Sequence, residues 1–435
     1  MSQPQAEPAT HAAAAPQKPA SNFRWVILGL LFFATTINYL DRNVMGILAK
    51  HLKEIFSISD SQYGDIQGAF AIAYACGQLV CGRLLDLIGV RAGFALALVL
   101  WCLASMSHAL AGSAFGFKLA RIFLGVAESP NFPAATKTIS EWFPRKERAF
   151  AFGFVNAGTN MGALAAPAIV LWLLKHHGWQ WAFIATGGAG LVWLALWLPL
   201  YRPPAKHPRV SKSELEFIQS DPPEPAQKVP WANLVTSRRA MAFAVAKFLT
   251  DSMWWFYITW FPLFLGTQHQ LNIMETAAPL VVIYLMADVG SVAGGWFSSS
   301  MIKHGESVNR ARKTALLVCS LAMFPVFFAQ NIAGLWPAVL VMGLATAAHQ
   351  GFSSNLYTLV SDMFPRQCVA SVAGFGGTAG YLGASLFQFA VGRMVEHTGK
   401  YYLPFICAAS AYIIAFALIH LLVPVIKPPA QTATT

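Results

Sequence analysis

The sequence predicts an all-α integral membrane protein, twelve transmembrane helices arranged in two six-helix halves. Three observations predict it. Of 435 residues, 56% are hydrophobic and only 11% charged, whereas a soluble globular chain carries about 25% charged residues. Apolar runs of about 20 residues, the length a helix needs to cross a bilayer, recur from Phe23 to the region of Val423. One long polar stretch, 202–240, divides those runs into two sets of six.

The first set reads as helices over 24–46, 64–85, 92–112, 117–139, 149–174 and 179–201. The second reads as helices over 241–266, 274–300, 314–330, 333–360, 368–395 and 402–425. The organisation expected is a cytoplasmic tail (1–23), an N-terminal bundle (24–201), a cytoplasmic linker (202–240), a C-terminal bundle (241–425) and a second cytoplasmic tail (426–435). Residues 1–22 are rich in Ala, Pro and Gln and lack an apolar core, so no cleavable signal peptide is expected. The linker, rich in Pro and charge, reads as solvated.

Lys and Arg set the expected orientation. Loops after even-numbered spans carry Arg83 and Arg91, then Arg145, Lys146 and Arg148, then the basic linker, then Lys303, Arg310, Arg312 and Lys313, then Arg366. The other side carries few, so both termini are expected in the cytoplasm. This placement accounts for most of the net charge of +11 without a nucleic-acid partner. Faint internal similarity joins the halves: GRLLDLIGVR (Gly82–Arg91) follows span two and GGWFSSSMIKHG (Gly294–Gly305) follows span eight. WFP at Trp142–Pro144 and MFP at Met363–Pro365 follow spans four and ten. Paired repeats of this kind build transporters that rock around a midplane site.

Charges at bilayer depth cost roughly 2.5–3.5 kcal/mol each on insertion scales, so those present should face protein or a wet cavity. They are Asp41 and Arg42 in span one, Arg121 and Glu128 in span four, Lys247 and Asp251 in span seven, and Asp288 in span eight. Asp41 and Arg42 point about 100° apart on a helix, so one can face a cavity while the other pairs sideways. Arg121 and Glu128, seven residues apart, share a face at two depths. A guanidinium matches a carboxylate bidentately and keeps its charge. A carboxylic side chain can change protonation. The functional reading therefore makes Arg42 and Arg121 anion anchors and Glu128 or Asp41 the proton carrier; the bland reading makes all four structural ion pairs. Lys247 and Asp251, at i and i+4, can pair directly, or Lys247 can hold substrate.

Tyr39 and Tyr74 each offer one hydroxyl beside an aromatic face. Span ten is unusually polar for its depth, with His349, Gln350, Ser354 and Asn355 as candidates for reading hydroxyl groups. In GRLLDLIGVR, Asp86 can accept from Arg91 or from helix-end amides. With Glu141, Arg145 and Arg148 of the next inner loop it reads as a cytoplasmic latch, and Asp288 as part of a gate or helix-end network. Six cysteines lie mostly in apolar surroundings without metal spacing. No metal or cofactor is expected. An integral-membrane enzyme would need a catalytic dyad or metal cluster, and no HExxH, paired cysteines or serine–base motif is present.

GRLLDLIGVR resembles the signature loop of the major facilitator superfamily, and the likeness extends over about 24–425. Within that superfamily NYLDRN, ARIFLGVAESPNFPAATKTISEWFPRKERAFAFG and FLTDSMWWFYITWFPLFL resemble the anion:cation symporter family. The last of these and AAHQGFSSNLYTLVSDMFP are similar to bacterial hexuronate transporters, which take up glucuronate and galacturonate with protons. The resemblance implies the major facilitator fold and proton-coupled symport of a sugar-acid anion across the bacterial inner membrane by a monomer. It implies proton-linked roles for Asp41 and Glu128 and charge-network and anion-handling roles for Arg42 and Arg121. Tyr74 and the polar face of span ten match cavity positions. Transporters of aldonates such as galactonate share much of the pattern, but an uncharged amide stands at the position of Lys247. A carrier or exchanger of another organic anion, such as galactonate or glucarate, is the alternative.

Overall fold

The computed structural model describes residues 21–221, 230–271, 273–398 and 400–426. The two tails lie almost wholly outside the described residues, as does 222–229 of the linker. Among the described residues every regular element is helical. The N-terminal half comprises α1 (Arg24–Ile47), α2 (Ala49–Phe56), α3 (Asp60–Ile88), α4 (Val90–Ser107), α5 (Ala114–Glu128), α6 (Asn131–Trp142), α7 (Arg145–His177) and α8 (Trp179–Leu200). The linker carries α9 (Lys212–Ile218) and α10 (Trp231–Val235). The C-terminal half comprises α11 (Arg238–Gln268), α12 (Ile273–Lys303), α13 (Val308–Ala322), α14 (Leu335–Met363), α15 (Val369–Thr398) and α16 (Tyr402–Leu422).

Local chemistry explains the boundaries. Ser59 opens α3 with a capping box: its Oγ accepts from Gln62 N at 3.2 Å and its own N–H reaches Gln62 Oε1 at 3.0 Å. The expected fourth span, 117–139, is two helices instead of one, because Pro130 cannot donate to the carbonyl four residues back. That carbonyl, of Val126, accepts from Ser129 Oγ at 2.7 Å. The break leaves Glu128 as the last residue of α5. The ninth span likewise loses its α-helical form near Pro325, passing from α13 into a 3-10 helix over Phe324–Asn331. The signature stretch forms almost no loop: α3 and α4 are separated by Gly89 alone, at φ +82°, a conformation that favours glycine.

The linker departs from the solvated segment expected. Glu214 of α9 is fully buried and accepts from Phe23 N and Arg24 N, both at 3.1 Å, from Arg24 Nη1 at 3.3 Å and from Ser21 Oγ. A linker carboxylate therefore serves the free amides at the start of α1, where the helix dipole favours negative charge.

The halves meet along two seams, α3 against α15 and α7 against α12. Both depend on glycine for close backbone approach: a Cβ on Gly82 would overlap the Ala370 carbonyl, and one on Gly153 the Ser291 carbonyl. Among the described residues, seven helices are long and apolar enough to cross a bilayer on their own account: α3, α4, α7, α8, α12, α13 with its 3-10 extension, and α16. The five remaining spans are α1, α5 with α6, α11, α14 and α15. Four of them hold the charged pairs of spans one, four and seven and the polar run of span ten, while Asp288 sits in α12, and α15 is rich in glycine. The polarity that weakens them as membrane anchors is concentrated at the centre of the bundle.

Candidate functional site

Between the halves lies a cavity of about 740 Å³, lined by α1, α3, α7, α11, α12 and α15. Gly46, Thr259 and Ser385 form an exposed rim at the end of the bundle opposite the start of α1. Tyr39, Trp254, Trp255 and Tyr381 line both this chamber and a second, tighter cavity of about 50 Å³ deeper in the molecule. Phe132 and Tyr357 close the deeper cavity, their rings stacked with centroids 5.6 Å apart. Phe152 and Phe243 pack against Tyr357 at 4.6 and 5.8 Å.

Two ion pairs border this space. On the N-terminal side, Arg42 donates from Nε (3.2 Å) and Nη2 (3.1 Å) to Glu128 Oε2. Its Nη1 crosses to the other half and donates to Tyr381 Oη at 2.9 Å. The rings of Tyr74 and Tyr39 lie 4.5 and 4.7 Å from its guanidinium carbon, a favourable setting for a partly desolvated cation. On the C-terminal side, Lys247 donates to Asp251 at 2.7 Å, one turn along α11, and lies 4.3 Å from the centroid of Tyr357.

The deep cavity's polar wall is shared by both halves. Asn156 donates to Gln350 Oε1 at 2.5 Å. His349 stacks on Trp254 at 4.7 Å and shares a hydrogen bond of 2.6 Å between Nδ1 and Tyr412 Oη. Tyr39, Arg42, Tyr74, Lys247, His349 and Gln350 thus line one or both cavities.

Other candidate residues lie elsewhere. Asp41 is turned sideways, accepting from Trp101 Nε1 at 2.6 Å and Ser105 Oγ at 3.1 Å inside the N-terminal half. Arg121 is buried behind Arg42, whose carbonyl accepts from its Nη2 at 3.2 Å; it lines neither cavity. Ser354 and Asn355 point into the contact with α12, bonding the carbonyls of Ser291 (3.3 Å) and Gly294 (2.9 Å). Both sides of span ten are polar, and these two residues face the neighbouring helix.

The opposite end, where α1 begins, is sealed in layers. Asp86 accepts from Lys137 Nζ at 2.6 Å and, across the seam, from the N–H (2.7 Å) and Oγ (2.6 Å) of Ser371 near the start of α15. Arg148 donates to the Ser361 carbonyl at 2.7 Å and to Asp221 of the linker at 3.2 Å. Reciprocally, Arg312 of α13 holds Asp362 at 2.9 Å and reaches back to the Arg145 carbonyl at 2.8 Å. Away from this end, at mid-helix, Asp288 accepts from Asn160 of the chamber wall at 2.7 Å across the α7–α12 seam. Arg91 does not pair with Asp86: it donates to the Leu198 carbonyl at 2.7 Å, and Glu141 accepts from Tyr201 at 2.8 Å, both contacts local to the N-terminal half.

Sequence reasoning missed Lys137, Asp221, Arg312, Asp362 and Ser371 in the latch, and Tyr381, Asn156, Gln78 and Tyr357 around the cavity. The repeat SEWFPR and SDMFPR would have drawn attention to Asp362 beside Glu141. The glycine run GFGGTAGYLG around Tyr381 marked α15 as a helix in close contact.

A family profile described as the Major Facilitator Superfamily matches residues 31–388. The hexuronate transporter of Escherichia coli K12 is 31% identical over 416 residues, 94% of this chain and 96% of that one. The D-galactonate transporter of Escherichia coli O6:H1 is 29% identical, covering 91% and 93% of the two chains. The galacturonate transporter of Dickeya chrysanthemi is 35% identical over 278 residues, 63% of this chain and 81% of that one. Among solved structures, the proton:xylose symporter XylE superposes with a TM-score of 0.72 at 15% identity, covering 93% and 97%. The Escherichia coli fucose:proton symporter FucP gives 0.69 at 14%, covering 92% and 99%. Two six-helix halves around a central cavity bordered by ion pairs, a profile match over most of the length and relatives that are themselves transporters agree: the chain belongs to the Major Facilitator Superfamily.

Proposed function

We propose that the chain takes up a singly charged sugar acid, a hexuronate such as glucuronate or galacturonate, together with a proton, by alternating access. The observation that carries the reading is the Arg42–Glu128 pair at the chamber wall. While Glu128 is ionised it occupies the guanidinium, and a sugar carboxylate must compete with it. Protonation of Glu128 releases the fork of Arg42 donors for the substrate, so proton and anion bind together. Tyr39, Tyr74, His349 and Gln350 offer hydroxyl, imidazole and amide partners for sugar hydroxyls, and Trp254 and Trp255 offer apolar faces for the ring.

Support comes from relatives whose names specify hexuronate, galacturonate and D-galactonate. Asp41, tied to Trp101 and Ser105 away from the chamber, is a second carboxylate that Arg121 can influence; we assign the coupling proton to Glu128. In this reading the termini are cytoplasmic and the wide end of the chamber faces outside, in the inner membrane, an orientation that the basic loops support. This is then the outward-facing state, sealed inside by Asp86, Arg148, Arg312 and Asp362. Asp288, bonded to Asn160 of the chamber wall across the α7–α12 seam, is assigned to the gate between the halves.

The test is uptake by proteoliposomes under an imposed pH gradient across glucuronate, galacturonate, galactonate and glucarate. Gradient-driven accumulation of a hexuronate above the other acids is expected. Accumulation of galactonate or glucarate in preference, or of none, overturns the assignment.

A further inference from the structure

The charged groups that line the chamber, taken with Glu128 behind Arg42, form a balanced set; Asp288, bonded to Asn160 on the α7–α12 seam, lines neither cavity. Among the described residues, the charged side chains lining the two cavities are Arg42, Lys247 and Asp251. Glu128, directly behind Arg42 and fully buried, supplies the second negative charge. Asp41 and Arg121 add one buried charge of each sign further back. The remaining titratable ring at the floor, His349, is stacked on Trp254 and bonded to Tyr412.

The two pairs differ in how they are built. Lys247 and Asp251 ride on a single helix one turn apart, so rocking of one half against the other leaves them together. Asp251 is also backed by Gly380: a Cβ there would overlap its carboxylate. The glycine on α15 therefore makes room for the acid next to its lysine, while the adjacent Tyr381 accepts from Arg42.

We infer that Asp251 sets the charge of the acceptable substrate to minus one by cancelling Lys247. The inference rests on the symport reading above. With Glu128 ionised the four groups sum to zero; with one proton on Glu128 they sum to plus one, and a single carboxylate restores neutrality. A sugar acid with two carboxylates would leave an uncompensated negative charge in a desolvated chamber, a strongly unfavourable state. Lys247 is then a hydrogen-bond donor to the sugar and not a second anion anchor. Without Asp251 the same lysine would become that anchor, and an aldarate dianion would be balanced.

The experiment is competition in counterflow of labelled glucuronate by the full-length chain in proteoliposomes, with unlabelled galacturonate and glucarate as probes. In wild type, glucarate competes at least about tenfold more weakly than galacturonate. In Asp251→Asn the ratio moves toward glucarate by about tenfold or more, and in Lys247→Gln/Asp251→Asn, where both charges are gone, it returns toward wild type. Should Asp251→Asn fail to reach the membrane, Lys247→Gln gives the converse: an unpaired Asp251 weakens galacturonate competition about tenfold, and the double variant restores it. An unchanged ratio in Asp251→Asn, or a double variant as accepting of glucarate as the single one, overturns the inference while glucuronate counterflow itself persists. Absence of counterflow with any sugar acid in folded wild type would instead refute the symport reading.

Discussion

Arg42 places two guanidinium nitrogens on one oxygen of Glu128, Oε2, at 3.1 and 3.2 Å. The other oxygen, Oε1, accepts no hydrogen bond among the described residues although it is fully buried. Proton uptake at Oε1 displaces no hydrogen-bond donor from that oxygen, and by cancelling the charge it loosens the hold of Oε2 on Arg42. The 86 residues between the partners place them on separate helices of one half, so the switch stays assembled as the halves move.

From this pair follows the behaviour of Glu128→Gln. The amide keeps shape and a hydrogen-bond acceptor but cannot carry a proton. Gradient-driven accumulation of glucuronate should fall by about tenfold or more, the consequence of losing at least ~1.4 kcal/mol of coupling, while counterflow of preloaded substrate persists. Accumulation equal to wild type would remove Glu128 from the coupling step.

The arginines separate by position. Arg42→Lys replaces a planar fork that serves Glu128, Tyr381 and Asn38 together with a single ammonium that cannot meet all three. Its KM for glucuronate should rise about tenfold or more. Arg121→Lys, behind the wall, should reduce thermal stability while changing KM by less than about threefold. Equal KM effects in the two variants would place Arg121 in the chamber after all.

The sealed end should open when its latch is weakened. Asp86→Asn weakens the charged contact with Lys137 and the cross-seam bonds to Ser371. Cys368, near that seam at the start of α15 and 2% exposed, is the reporter. In a variant retaining only that cysteine, its maleimide labelling should accelerate about tenfold, as a shift of ~1.4 kcal/mol in the conformational equilibrium requires. Gly153→Val should act more strongly, because its side chain cannot fit against Ser291. Labelling unchanged in both would show that these contacts do not hold the seal.

The linker helix makes a separate prediction. Glu214→Ala leaves Phe23 N and Arg24 N unserved at the start of α1 and Arg24 without one of its two carboxylate partners. A loss of about 1–3 kcal/mol is expected, measured as a lower Tm in detergent with KM unchanged. An unaltered Tm would mean that the Glu214 contacts contribute nothing to the fold.

How much of this was legible follows from which forces are local. Spans were readable because lipid demands unbroken apolar helices, and the 100° offset of Asp41 and Arg42 was readable from helix geometry. Which of the two would meet the chamber was not, because Trp101 and Ser105 lie some 60 residues away in sequence. The break after Glu128 was partly visible in its prolines. Tyr381 carried no charge to betray it, and its value comes from an Arg42 contact spanning 339 residues. Ser354 and Asn355 misled because a polar residue in a span serves helix contacts as readily as a cavity.

Charge balance around Arg42, Glu128, Lys247 and Asp251 makes the proposed transport cycle electroneutral, one hexuronate anion with one proton. The most direct measurement drives uptake of labelled glucuronate into proteoliposomes by a pH gradient alone and, separately, by a membrane potential alone, while external pH is recorded. The account predicts accumulation and external alkalinisation with the pH gradient and none with the potential. Accumulation driven by the potential alone, or uptake without alkalinisation, would contradict it.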